Sequence, residues 1–149
     1  MNLVAELPAG LTGLEQLQHL MGKDGRPPIG DTLDFMLVEV SEGRAVFEGM
    51  PCLRVYNPIG TVHGGYAATL LDSACGCAAH ASLSATQGYT TLELKIAYHK
   101  AITADTGKLR AEGRVLSIGR RAAFTEATLT DEAGKLYASA TSTLLVFDR

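Results

Sequence analysis

The sequence contains no tryptophan, only three cysteines and no excess of positive charge. Thirteen Lys and Arg stand against sixteen Asp and Glu, a formal charge of −3. No basic surplus exists to neutralise a phosphate backbone, which argues against nucleic acid as the main ligand and leaves room only for a local basic pocket for a small anion. The cysteines, Cys52, Cys75 and Cys77, are odd in number. On a helix Cys75 and Cys77 lie about 200° apart and cannot bridge each other. There is no four-cysteine set and no paired Cys-x-x-Cys and His spacing, so neither a disulfide nor a metal site is expected. Met1 to Leu20 holds no Lys or Arg ahead of an apolar stretch and does not read as a secretory signal. The expected compartment is the cytoplasm. Gly-x-Ser-x-Gly, P-loop and dinucleotide-binding fingerprints are all missing. What is present is 149 residues, 46% hydrophobic, with sixteen glycines. That composition excludes a mainly disordered chain and predicts one domain over residues 1–149, burying roughly 70% of its unfolded surface.

Residues 1–30 read as an N-terminal helix and turn. Thr12-Gly13-Leu14-Glu15 fits a capping box, and Leu14, Leu17, Leu20 and Met21 recur at helical spacing, so a helix is expected from Thr12 to Met21, ended by Gly22 and Gly25. A polar turn is expected at Pro27-Pro28-Ile29-Gly30. Asp34 to Val40, Gly43-Arg44 and Ala45-Val46-Phe47 read as strand, turn and strand. Tyr56 to Gly60 reads as a loop. From Gly64 to about Ala81 the chain is a helix of Ala, Gly, Cys, Leu and Ser, apolar on every side and interrupted only by Asp72 and His80. It is too interrupted to span a membrane, and the expectation is a helix buried in a globular protein. Thr91–His99, Gly107–Leu116, Ala122–Thr130 and Leu136–Phe147 read as strands joined by short Gly- and Asp-containing links that suit antiparallel neighbours. The plan is α+β: a twisted antiparallel sheet around one central helix.

Asp72 stands in a helix with almost no other charge. An unpartnered carboxylate removed from water costs several kcal/mol or shifts its pKa upward. Two readings stay open: a catalytic acid or base, or a carboxylate satisfied by strand amides or by Arg110. Helical geometry puts Gly65, Ala68, Gly76 and Ala79 on its face, leaving room for a ligand or a second helix. His63-Gly64-Gly65 opens the same helix, where amides and the helix dipole suit a developing oxyanion, although glycines also start helices merely to make the turn. Gly64 and Asp72 are eight residues, about 12 Å, apart along one helix. One reacting carbonyl cannot touch both, so if both serve one site, the carboxylate comes from a second copy of the chain. Asn57 is a pre-proline turn residue or an amide that holds a water or a carbonyl. Gly119-Arg120-Arg121 is a solvated hairpin turn or a phosphate clamp. Cys75 and Cys77 read as small core residues.

Asn57-Pro58-Ile59-Gly60-Thr61-Val62-His63-Gly64-Gly65, with Asp72 seven residues on, resembles the hotdog-fold acyl-CoA thioesterases of the phenylacetate-degradation (PaaI-like) group. The likeness continues through Thr91 to Tyr98 and Gly119 to Phe124, and covers the chain from about Val38 onward. The resemblance implies a hotdog fold, an antiparallel sheet wrapped around one long central helix. It implies hydrolysis of an aryl- or medium-chain acyl-CoA to free acid and coenzyme A. The Gly64 N–H would hold the oxyanion and Asp72, from the other subunit, would activate water or attack directly. Thr91 would position that water or Asp72, and Asn57 and His63 would order the loop and the substrate. Gly65, Arg120 and Arg121 fall to coenzyme A, which is part of the substrate, so no separate cofactor or metal is implied. The implied assembly is a homodimer paired into a homotetramer, with no membrane partner. Two alternatives are an acyl-CoA-binding sensor without turnover and a hydroxyacyl-thioester dehydratase, whose His and acidic pattern is not found here.

Overall fold

The computed structural model describes residues 2–21 and 25–149. Helix α1 (Gly13–Met21) begins at the expected capping box: the Thr12 N–H donates to Glu15 Oε2 at 2.8 Å and the Glu15 N–H returns to Thr12 Oγ1 at 3.4 Å. Its far end is closed by the Gly25 N–H donating to the Leu20 carbonyl at 2.9 Å. Gly22, the other expected terminator, lies outside the described residues. The expected turn at Pro27–Gly30 is a correction. Pro28 opens a short helix, α2 (Pro28–Leu33), because proline fits the first helical position, where no N–H is needed.

Six strands follow: β1 (Phe35–Ser41), β2 (Arg44–Gly49), β3 (Gln87–Tyr98), β4 (Leu109–Ile118), β5 (Ala122–Asp131) and β6 (Leu136–Asp148), with helix α3 (Gly64–His80) between β2 and β3. All pair antiparallel in one sheet, in the order β1-β2-β4-β5-β6-β3. Hairpins join β1 to β2, β4 to β5 and β5 to β6. Gly43 and Gly134 supply the positive φ that two of these turns require. The Thr103–Thr106 link is not a hairpin. It carries a single 3-10 turn (Ala104–Thr106) in a connection that leaves β3 at one edge and enters β4 in the middle. The sequence reads it as a turn correctly and misses the crossing, because link length does not fix strand order.

Helix α3 lies in the concave face of the sheet. Leu70, Leu71, Ala74, Cys75 and Ala78 are fully buried against Phe47, Leu109, Ala111, Leu129 and Ala138. Small residues allow the approach: a Cβ on Gly113 of β4 would overlap the Ala74 carbonyl. The helix is not covered all round, contrary to the sequence expectation. Gly65, Ala68, Thr69, Asp72 and Ser73 lie along a side that the sheet does not close, and Gly65 is exposed. The sequence could not separate burial by its own sheet from a face left open, since Ala, Gly and Ser suit both. At the C-terminal end, α1 is tied to α3 by the Gly13 N–H donating to the Leu83 carbonyl at 3.0 Å and by a buried Gln16–His80 pair at 2.9 Å. No helix among the described residues is long and apolar enough to cross a membrane.

Candidate active site

His63 is the N-cap of α3, and two of its acceptors serve the helix. Its Nδ1 accepts from the Gly65 N–H at 2.8 Å, and its carbonyl accepts from the Tyr66 N–H at 2.9 Å. Nδ1 is therefore unprotonated and the ring proton sits on Nε2. The Gly64 N–H is the one remaining donor of the first turn, with no acceptor among the described residues. The cap thus sets the two glycines apart: the Gly65 N–H is committed to His63, and the Gly64 N–H is left at the positive end of the helix dipole.

Gly64 is held from the other side by Tyr98 at the end of β3. The Tyr98 hydroxyl donates to the Gly64 carbonyl at 3.0 Å, and a Cβ on Gly64 would meet the Tyr98 ring at 3.1 Å. The two residues line a cleft of about 310 Å³ with His63, Ala67, Lys100 and Ile102. Sequence reasoning did not single out Tyr98 or Lys100.

Asp72 is half-buried two turns further along α3, on the open side. Its Oδ1 accepts from the Thr91 hydroxyl of β3 at 3.1 Å. Oδ2 has no partner among the described residues. Arg110, the alternative partner considered from sequence, instead binds Glu39 at 2.6 Å and Glu48 at 3.4 Å. Both Thr91 and Tyr98 point at α3 although they are seven residues apart on a strand, where strict alternation would send them to opposite faces. A β-bulge at Leu92 resets the phase, leaving that residue without a partner on β6.

Asn57 organises the loop ahead of the cap. Its Oδ1 accepts from the Ile59 and Thr61 N–H groups at 3.1 and 3.2 Å, and its Nδ2 donates to Thr61 Oγ1 at 2.8 Å. This is a turn role, and it leaves one of the two Nδ2 hydrogens without a partner among the described residues. Arg120 and Arg121 are exposed in the β4–β5 turn and line neither the Gly64 cleft nor the surroundings of Thr91. All three cysteines are free thiols. Burial pushes the Cys75 thiol up to about 11, the behaviour of a core side chain.

Residues 59–138 match the family described as the thioesterase superfamily. That span contains the helix cap, Asp72, Thr91 and Tyr98, and more than half of the chain. The chain belongs to the thioesterase superfamily. Thioester hydrolase, the enzyme class expected from the sequence, is the class of this superfamily, and the antiparallel sheet around α3 is the hotdog fold. The thioesterase is 28% identical over 116 residues to 1,4-dihydroxy-2-naphthoyl-CoA hydrolase of Listeria monocytogenes serotype 1/2a (strain 10403S), covering 78% of this chain and 93% of that protein. Its fold is similar to that of smu.793 from Streptococcus mutans UA159, solved bound to acetyl CoA, with TM-score 0.70 and 27% identity over 77% of this chain and 90% of that one. It is also similar in fold to the E. coli PaaI protein from the phenylacetic acid degradation operon, with TM-score 0.78 and 18% identity over 91% of this chain and 94% of that one.

Proposed function

We propose that the protein hydrolyses an aryl- or medium-chain acyl-CoA to the free acid and coenzyme A, at a site shared between two copies of the chain. The observation that carries this reading is the separation of two prepared groups on one helix. The Gly64 N–H is free at the N-terminus, and an Asp72 carboxylate steadied by Thr91 stands about 12 Å further along the helix, on its open side. In the proposed reaction the thioester carbonyl accepts from the Gly64 N–H, which holds the oxyanion as it forms. Asp72 Oδ2 takes a proton from the attacking water, or attacks the carbonyl carbon itself and is then freed by water. The C–S bond breaks, the acyl group leaves as the acid, and the proton passes to the coenzyme A thiolate.

Strand β3 supports the two-copy arrangement. It is a sheet edge twelve residues long, and its outer edge carries no strand among the described residues. Thr91 marks the Asp72 end of the site and Tyr98 the Gly64 end. Antiparallel pairing of two β3 strands about a two-fold at Lys95, with the bulge at Leu92 taking up one residue, sets Thr91 opposite Tyr98 of the second copy, and with it Asp72 opposite the second Gly64. The open face of α3, with its small side chains, is then the surface on which the copies meet. Apolar side chains on the rest of the surface, Leu116 at 58% and Phe124 at 48% exposure, favour a further pairing into a homotetramer. Arg120 and Arg121, with Lys100 at the cleft, are assigned to the phosphates of coenzyme A. No cofactor beyond the substrate is invoked, and the proposed compartment is the cytoplasm. The direct test is release of free coenzyme A from a panel of acyl-CoAs, run on wild type and Asp72→Ala. Release that falls at least about 100-fold in the variant supports the reading. Binding without release from any member contradicts it and leaves an acyl-CoA sensor.

A further inference from the structure

A chamber of about 790 Å³ opens beside the C-terminal half of α3, beyond Asp72 along the helix. Leu17 and Leu20 of α1 roof it, Leu37 of β1 and Phe47 of β2 wall it, and Cys77 of α3 and Tyr89 of β3 close it. We propose that this chamber receives the acyl group of the thioester, that it takes uncharged, apolar acyl groups, and that one chain supplies its selecting residues. The inference rests on the thioesterase reading and adds to it the class of acyl group and the residues that choose it.

Position is the first argument. Tyr89 stands two residues before Thr91, on the same face of β3, and its hydroxyl packs over Gly76, one turn beyond Asp72. A Cβ on Gly76 would meet that oxygen at 2.9 Å. The Asp72 carboxylate is close enough to add to the upward push that burial gives both Cys77 and Tyr89. An acyl chain whose carbonyl carbon lies at Asp72 would run past Gly76 to Tyr89, which borders the chamber.

Chemistry is the second. Burial holds the Cys77 thiol up at about 12 and His80 down at about 4, so both are neutral near pH 7, as is Tyr89. The Arg26 guanidinium on the chamber's margin is engaged by Asp34 at 3.2 Å and Asp31 at 3.8 Å. Among the described residues nothing in the lining is left to pair a buried negative charge, and an acyl group ending in a carboxylate is penalised there. The volume falls within the roughly 300–1,000 Å³ of small-molecule sites. The roof and the β1 and β2 walls lie outside residues 59–138, the span that matches the superfamily. Selection and chemistry are thus carried by different parts of the chain.

The experiment measures kcat/KM for acetyl-CoA, octanoyl-CoA and octanedioyl-CoA on wild type, Leu20→Trp and Met36→Trp, with folding checked by thermal melting. Met36 reaches the chamber from the edge strand β1 and is 42% exposed, so a larger side chain fits there without disturbing the core. Wild type is expected to prefer octanoyl-CoA to its carboxylate-ended counterpart by about 100-fold or more. The octanoyl-to-acetyl ratio is expected to fall about tenfold in at least one folded variant. Equal use of octanoyl- and octanedioyl-CoA, or ratios unchanged in both variants, overturns the chamber while leaving the thioesterase standing. If wild type hydrolyses nothing, the thioesterase reading fails by itself. Calorimetric binding of the S-octyl thioether of coenzyme A then decides the chamber: weaker binding in the variants supports it, and unchanged binding removes it.

Discussion

At Gly64 one peptide group has its two ends put to different uses. Tyr98 holds the carbonyl and His63 satisfies the neighbouring amide, so the Gly64 N–H points where the first turn leaves it. Tyr98→Phe keeps the ring against Gly64 and removes only the O–H. The lost hydrogen bond is expected to lower kcat about 3- to 10-fold with KM nearly unchanged, and to move thermal stability little. An equal loss in KM would mean that the hydroxyl serves binding. Asp72 and Gly64 were legible in the sequence because a charge in an apolar helix and glycines at a helix start are exceptions to simple rules. Tyr98 was not, since its contact with α3 depends on the bulge at Leu92, and alternation assigns Thr91 and Tyr98 to opposite faces. For Asn57 the sequence held the turn role as one of two readings without deciding between them, and for His63 it did not indicate the helix cap. A ring and an amide that cap and brace are written with the same letters as ones that bind.

Among the elements, α3 decides both the packing and the acid response. Gly113 is where β4 passes beneath its backbone, and Gly113→Ala would drive a methyl into the Ala74 carbonyl. Neither backbone can yield cheaply, so a loss of about 3 kcal/mol or more, near 10 °C in melting temperature, is expected by calorimetry. At the other end, Gln16 Nε2 donates to the Leu11 carbonyl at 2.8 Å, which leaves Oε1 to accept from the His80 N–H and ties α1 to α3. Burial, with a smaller contribution from Arg149, lowers His80 to about 4. The unfolded chain takes up this proton near pH 6.5, well before the folded one does. Stability from this group is therefore complete above about pH 6.5 and is lost as pH falls toward 4, by about 3 kcal/mol in all. Melting temperature against pH should fall through that window in wild type and fall less in His80→Asn. Equal slopes would remove His80 as the cause. The sequence gives these helices correctly from capping boxes and small residues. It misses α2, where Pro27-Pro28 signals a turn and a helix start equally well, and it misses the path from β3 to β4, because strand order is a property of the whole sheet.

For the whole molecule, the central claim is that one active site takes Gly64 from one copy and Asp72 from another. Asp72→Asn removes the base. Gly64→Pro removes the N–H at the first position of α3, where the backbone accepts proline and where His63, at φ −61° and ψ 136°, already has the extended backbone a following proline demands. The exposed Tyr98 ring, 3.1 Å from the added Cβ, has to give way by a few tenths of an ångström. Each variant alone is expected to be inactive and folded. Unfolded together and refolded at equal concentrations, half of the dimers are mixed, and each mixed dimer holds one site in which the intact Gly64 of one copy faces the intact Asp72 of the other. Coenzyme A release is predicted to return to about a quarter of the wild-type rate. If the mixture stays as inactive as its parents while both variants melt as folded dimers, the two groups do not meet across copies, and the shared site is contradicted.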